Sequence, residues 1–186
     1  MASIVCNFSN TATVGGNAHD ITSTSSGTLV ADLTDFDTGS ATGYTLSCDT
    51  TRIADPGGRA ASSPTDSVVT TMNTDGHYSS GTPVVYTFGG LTDLVDCDVE
   101  VMLCTTYGQQ DALDVSINGG SSTTVNSSGN ITGTWTTFSA QAPNVSDELA
   151  ITISNPAASP FIFMNGLRLS NIDTGGGASL LLMNTE

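Results

Sequence analysis

The chain has 186 residues, enough for one domain that buries roughly two thirds of its unfolded surface without help from metals or disulfides. Charged residues make up only 11% of it, and three arginines stand against eighteen acids with no lysine, for a formal charge of -15. So few cations exclude the counterion-release binding of a nucleic-acid backbone and attraction to an anionic membrane surface, while a field this negative favours solubility and draws divalent cations.

Ser, Thr, Asn and Gly supply the surface polarity instead, and these residues favour turns and strands over helix interiors. In chain order, strands are expected at Ser3 to Phe8, Thr28 to Leu33, Gly43 to Cys48, Ser67 to Met72, Val84 to Gly89, Cys97 to Thr106, Ala112 to Asn118, Ser121 to Asn126, Thr134 to Ala140, Glu148 to Ser154 and Phe161 to Ile172. No segment carries a helical period, and nothing approaches a membrane-spanning run. MASIVCNF has neither the basic nor the long apolar region of a secretory signal.

Alternation sets the sheet type, because successive side chains of a strand face opposite sides. Val99, Val101 and Leu103 point one way and Asp98 and Glu100 the other; Leu113, Val115 and Ile117 alternate with Asp114, Ser116 and Asn118; Leu149, Ile151 and Ile153 alternate with Ala150, Thr152 and Ser154. Strands that are wet on one face belong to antiparallel sheets, so the expected fold is all-β, an antiparallel two-sheet β-sandwich. Asn118-Gly119-Gly120 is a turn signal between two of them, because both glycines tolerate the positive φ such a turn needs. Asp49 to Gly81 is the least regular stretch and is expected to cross the sandwich as long loops. Cys6, Cys48, Cys97 and Cys104 sit inside strand-like runs, as buried free thiols of a chain made in a reducing compartment would.

After Gly175-Gly176-Gly177 come Leu180, Leu181, Leu182 and Met183, an apolar run on a glycine hinge that is expected either to fold back or to dock on a neighbour. The organisation is therefore residues 1–173 as the sandwich and 174–186 as an arm.

Candidate chemistry is limited. His19 and His77 lack a nucleophile elbow or an orienting acid, so no catalytic residue is assigned and no enzyme is expected. Asp32, Asp35 and Asp37 form one short run of carboxylates and Asp93, Asp96 and Asp98 another; they are either solvated turn acids or oxygen ligands of a structural calcium, and no other cofactor is required. A sugar needs an aromatic platform beside planar polar groups, and Trp135 is the natural one if Phe138, which is out of phase with it, faces the core. Tyr107 and Tyr78 are the other candidates, and Trp135 at a rim or subunit interface is the alternative. Arg168, between Leu167 and Leu169, is expected to pair with a carboxylate of a neighbouring strand or subunit.

The stretches IVCNFSNTATVGGNAHDITSTSSGTLVADLTDFDTGSATGYTLS, VVYTFGGLTDLVDCDVEVMLC, ALDVSINGG and FIFMNGLRL, spanning Ile4 to about Ile172, resemble the galactose-binding-like, carbohydrate-binding-module-type jelly-roll domains of bacterial surface and phage structural proteins. The resemblance implies a jelly roll, often with a structural calcium. The chain departs from it at Gly16-Asn17-Ala18-His19-Asp20, where a Trp-Asn pair is common, and at Cys104 to Gln109, where an arginine is common.

With the arm and the thiols, the resemblance leads to the expectation of a non-enzymatic phage virion protein, of the capsid decoration (cement) or tail-fibre type. Such a protein would dock on other virion proteins or on itself as a homo-oligomer, with a trimer as one symmetric arrangement. The alternative is an extracellular carbohydrate-binding module for a cell-surface or environmental glycan.

Overall fold

The computed structural model describes residues 3–9, 16–55, 76–80, 83–103, 112–126, 134–156 and 161–173. Among them the chain forms strands and no helix, and the strands sort into three sheets. Labelled in chain order, one sheet contains β1 (Ile4–Phe8), β2 (His19–Ile21), β8 (Asp96–Met102), β11 (Thr136–Gln141) and β14 (Gly166–Asp173), in the spatial order β11-β8-β14-β1-β2. The facing sheet contains β3 (Gly27–Val30), β4 (Thr45–Cys48), β7 (Val84–Gly89), β9 (Leu113–Ile117), β10 (Thr123–Val125) and β12 (Leu149–Ser154), ordered β10-β9-β12-β7-β4-β3. All pairings in these two sheets are antiparallel except β1 with β2. The architecture is the all-β sandwich expected from the alternation, consistent with a jelly roll.

The core lies where the inner faces meet. Ile4, Cys6, Phe8, Val99, Val101, Leu167 and Leu169 from one sheet close against Leu46, Tyr86, Phe88, Leu113, Val115, Leu149, Ile151 and Ile153 from the other. Each fully buried aliphatic side chain is worth about 1.5–3 kcal/mol relative to exposure, and these make one continuous cluster. β12 shows the rule plainly, with Leu149, Ile151 and Ile153 buried and Ala150, Thr152 and Ser154 half-buried.

The structure differs from the sequence expectations in four places. The irregular stretch after Asp49 contains two strands, β5 (Ile53–Asp55) and β6 (Gly76–Ser80), which join β13 (Phe161–Met164) in a third sheet ordered β13-β6-β5. The apolar run from Phe161 onward is not one strand: it breaks at Asn165, where β13 ends in the small sheet and β14 begins in the five-stranded one. Asn165 is held there by Phe8 N–H donating to its carbonyl (2.9 Å) and by its own N–H donating to the Met102 carbonyl (3.0 Å). At the β9–β10 turn, the positive φ angles fall on Asn118 (50°) and Gly119 (70°), not on both glycines. Finally, β1 and most of β8 are buried on both faces, because both are interior strands of the five-stranded sheet and its outer face is covered around Val5, Asn7 and Met102. The expected strand at Ser67 to Met72, Cys104 and the apolar arm lie outside the described residues.

Candidate functional site

The outer face of the five-stranded sheet carries a polar array at its β11 side. Strand register sets Thr137 opposite Glu100, Glu100 opposite Arg168, and Asp98 opposite Ser170. Arg168 donates through Nε to Glu100 Oε2 (2.5 Å) and through Nη2 to Glu100 Oε1 (2.7 Å), the bidentate fork that suits a guanidinium to a carboxylate. Ser170 Oγ and Thr137 Oγ1 add further donors to Glu100 at 2.7 and 3.4 Å. Burial alone would raise the Glu100 carboxyl, but the donors from Arg168 and Ser170, with the positive charge of Arg168, hold it below the usual range.

Above this pair lies Trp135, just before β11 and on the same sheet face as Thr137 by alternation. The Arg168 guanidinium carbon sits 4.8 Å from the indole centroid, a cation–π contact that fixes the ring. The indole is half-buried, and its Nε1 is buried with no hydrogen-bond partner. Phe138, the residue out of phase with it, packs against the core. The structure thus turns Phe138 inward and places the indole on the outer face beside the edge strand β11, which meets the condition for a platform and equally describes a rim position.

Asp98 closes the array. Both strands beside it are bulged at its level, β11 between Phe138 and Gln141 and β14 between Ser170 and Asp173. Asp98 Oδ2 accepts from Asn171 Nδ2 (2.6 Å) and Oδ1 from the Ala140 N–H (3.0 Å), and these bonds hold the carboxyl below its ordinary range. Ala140 and Asn171 both adopt positive φ (54° and 50°), so the loop of each bulge turns back toward this carboxylate.

The remaining candidates are dispersed. Tyr78 lies on β6 in the small sheet, edge-on to Phe161 (5.6 Å between centroids) and tilted over Phe163 (5.5 Å), so it belongs to a different sheet from Trp135. Tyr107 and Leu180, Leu181, Leu182 and Met183 lie outside the described residues. Asp35 Oδ1 accepts from the N–H groups of Asp37 (2.9 Å) and Thr38 (2.8 Å) and from Thr38 Oγ1 (3.1 Å), which makes it the keystone of its own turn. Asp32 Oδ1 accepts from the Gly43 N–H, and Asp93 Oδ1 from the Tyr44 hydroxyl. Among the described residues no group of three or more His, Cys, Asp or Glu side chains is placed to hold a metal ion. Cys6, Cys48 and Cys97 are free and buried, and desolvation, then Asp98 and Asp96, push the Cys97 thiol up to about 12, which leaves it inert.

Among the described residues, both histidines are engaged by structural groups. His19 Nε2 accepts from the Thr34 N–H (2.8 Å), so the ring ties β2 to the β3–β4 connection. His77 is wholly buried, its Nε2 3.2 Å from the Ser9 carbonyl and its Nδ1 3.2 Å from Arg52 Nη1. A carbonyl only accepts and a guanidinium only donates, so the ring is the neutral tautomer protonated at Nε2. Arg52, itself buried, also donates through Nη2 to the Ser23 and Ser25 carbonyls (2.8 and 3.1 Å) and stacks on Tyr86 and Phe8 at 5.5 and 5.8 Å. This node joins all three sheets, and composition gave no sign of it.

No protein-family model and no curated protein matches the sequence. Among solved structures, a calcium-binding mutant of Bacteroides uniformis beta-glucuronidase 2 superposes with a TM-score of 0.48 at 13% identity, covering 92% of this chain and 18% of its own. The exo-beta-1,3-galactanase of Phanerochaete chrysosporium, solved with galactose, superposes with a TM-score of 0.36 at 14% identity, covering 74% of this chain and 32% of its own. The chain therefore spans less than a third of the length of either.

Proposed function

We propose that this chain is a non-enzymatic binding module that takes a glycan on the outer face of its five-stranded sheet. One observation carries the reading: Trp135 stands half-exposed on a face rich in hydrogen-bonding groups, its ring fixed by Arg168, which Glu100 holds in turn. A sugar presents an apolar face of C–H groups and a rim of hydroxyls, so it needs a rigid aromatic surface beside fixed acceptors and donors. Here the indole supplies the first, and Asp98 with the hydroxyl oxygens of Ser170 and Thr137 the second, while Glu100 is taken up by its own four donors. The support scaffold is already ordered by its own hydrogen bonds, which keeps the entropic cost of binding low. The affinity of one such shallow site is weak, so function rests on several copies acting together.

The test is a glycan array probed with a multimerised sample, with Trp135→Ala beside the unaltered protein. Binding reduced at least about tenfold in the variant, for a side chain that carries the stacking contact, is the expected result. Binding indifferent to that change removes the site.

A second reading concerns the place of display. The free buried thiols of Cys6, Cys48 and Cys97 suit folding in a reducing compartment, and the strongly acidic charge suits dense packing of many copies without aggregation. Both properties support a virion component, either capsid decoration or tail fibre, assembled as a homo-oligomer through residues 174–186. Particles formed with a chain lacking residues 174–186 should lose the protein while the isolated domain still melts cooperatively; normal incorporation rejects this role for the arm.

A further inference from the structure

Resting on the glycan reading above, we infer that the Trp135 face selects neutral and amino-bearing sugars and turns away sugars that carry carboxylate or sulfate. The placement of charge on this face decides the matter. Among the described residues, Arg168 is the cation of this face, and its guanidinium edge is taken by both oxygens of Glu100 while its flat side lies on the indole. Asp98, one register step along β8 on the same face, is bonded to neutral groups: the Ala140 N–H, the Asn171 amide and the Ser139 hydroxyl. The array therefore presents one carboxylate without a countercharge, on a molecule whose formal charge is -15.

An acidic sugar reaching this face would have to displace Glu100 to take the Nε–Nη2 fork of Arg168, and at any other edge of the guanidinium it would still meet a charge that Glu100 already offsets. Glu100 has an 8% exposed side chain, so its displacement would leave a nearly buried carboxylate unpaired. A neutral sugar meets no such demand, since its hydroxyls can donate to Asp98 and to the hydroxyl oxygens of Ser170 and Thr137 while the four donors of Glu100 stay in place. An ammonium group on the sugar gains further from Asp98 at short range. With an effective dielectric between that of surface sites and bulk water, a unit charge a few ångströms from Asp98 changes affinity about tenfold in either direction.

The experiment uses three oligosaccharides of equal length and linkage, a glucan, its glucosamine analogue and its glucuronate analogue, titrated against the multimerised full chain at low salt. The expected order is glucosamine tightest and glucuronate weakest, each about tenfold from the glucan and so about a hundredfold apart. The gap should narrow as sodium chloride rises from about 20 to about 500 mM, because screening removes the Coulomb part and leaves the stacking contact. Glu100→Gln frees the charge of Arg168 and should raise glucuronate affinity toward that of the glucan. Trp135→Ala should weaken all three.

Glucuronate binding as tight as the glucan, and lost in Trp135→Ala, overturns the charge selection and leaves the glycan site standing. Absence of binding by all three, with an array of other glycans also blank, overturns both. Should Glu100→Gln fail to fold, the salt series on the unaltered protein decides alone: a glucuronate deficit that ignores salt rejects the electrostatic origin.

Discussion

At His77 both ring nitrogens are committed, one donating to the Ser9 carbonyl and the other accepting from Arg52, so there is no place for a second proton without losing a bond. Burial first, and the neighbouring Arg52 charge second, lower its pKa to about 4, against a contribution from the Ser9 carbonyl that raises it. The unfolded chain, with an ordinary histidine, binds more protons between about pH 6.5 and 4. Stability from this residue is therefore complete above about pH 6.5 and is lost as the pH falls toward 4, by about 3 kcal/mol in all. Urea midpoints measured across that window should fall with acid for the native protein. In His77→Gln the midpoint should start lower at pH 7 and change less on acidification; a slope equal to the native one would show that another group carries the acid sensitivity. The node itself was not legible in the sequence. Arg52, His77 and Ser9 come from three separated segments, and nothing local marks a histidine as the partner of a guanidinium. Arg168 is the contrasting case: a lone strand arginine in so acidic a chain had to meet a carboxylate, although which one depended on the β8–β14 register 68 positions apart.

Strand alternation was legible where a strand is covered on one face only. Val84–Gly89 and Leu149–Ser154 sit inside the six-stranded sheet and show the expected period. It failed for β2 and β5, each three residues long and too short to show a period, and for β6, whose GHYSS has no apolar alternation although its His77 and Ser79 are buried. The bulges beside Asp98 were half legible: Asn171 is a residue type that tolerates positive φ, whereas Ala140 carries no such signal. Alanine in that region costs roughly 1–2 kcal/mol, and glycine avoids the cost while losing about 0.5–1 kcal/mol to unfolded-chain entropy. Ala140→Gly should accordingly stabilise the protein by about 0.5 kcal/mol, seen as a small rise in the melting midpoint. Asp98→Ala should do the reverse by about 2 kcal/mol, since it removes a charged acceptor from three donors at once. If Ala140→Gly lowers the midpoint, the carboxylate and not the backbone angle governs the bulge.

At the scale of the whole molecule, a charge of -15 is spread over one domain with three cations to offset it. Like charges within about 10 Å repel in the folded state more than in the expanded chain, so added salt should raise the melting midpoint by screening. The kind of cation then separates a diffuse atmosphere from a bound ion. Asp35 is occupied by three donors of its own turn, Asp93 by the Tyr44 hydroxyl and Asp98 by Ala140 and Asn171, so these carboxylates already have partners in the fold. Ca²⁺ and Mg²⁺ at equal ionic strength should then raise the midpoint equally, and chelation at constant ionic strength should leave it unchanged. A saturable rise specific to Ca²⁺ would demand about six or more oxygen ligands around one ion. Asp37 and Asp96, followed by Asp32, whose Oδ1 accepts from the Gly43 N–H, would be the first residues to change to asparagine, one at a time, because a true ligand would lose the calcium response while a screening carboxylate would reduce it only in proportion to its share of the charge.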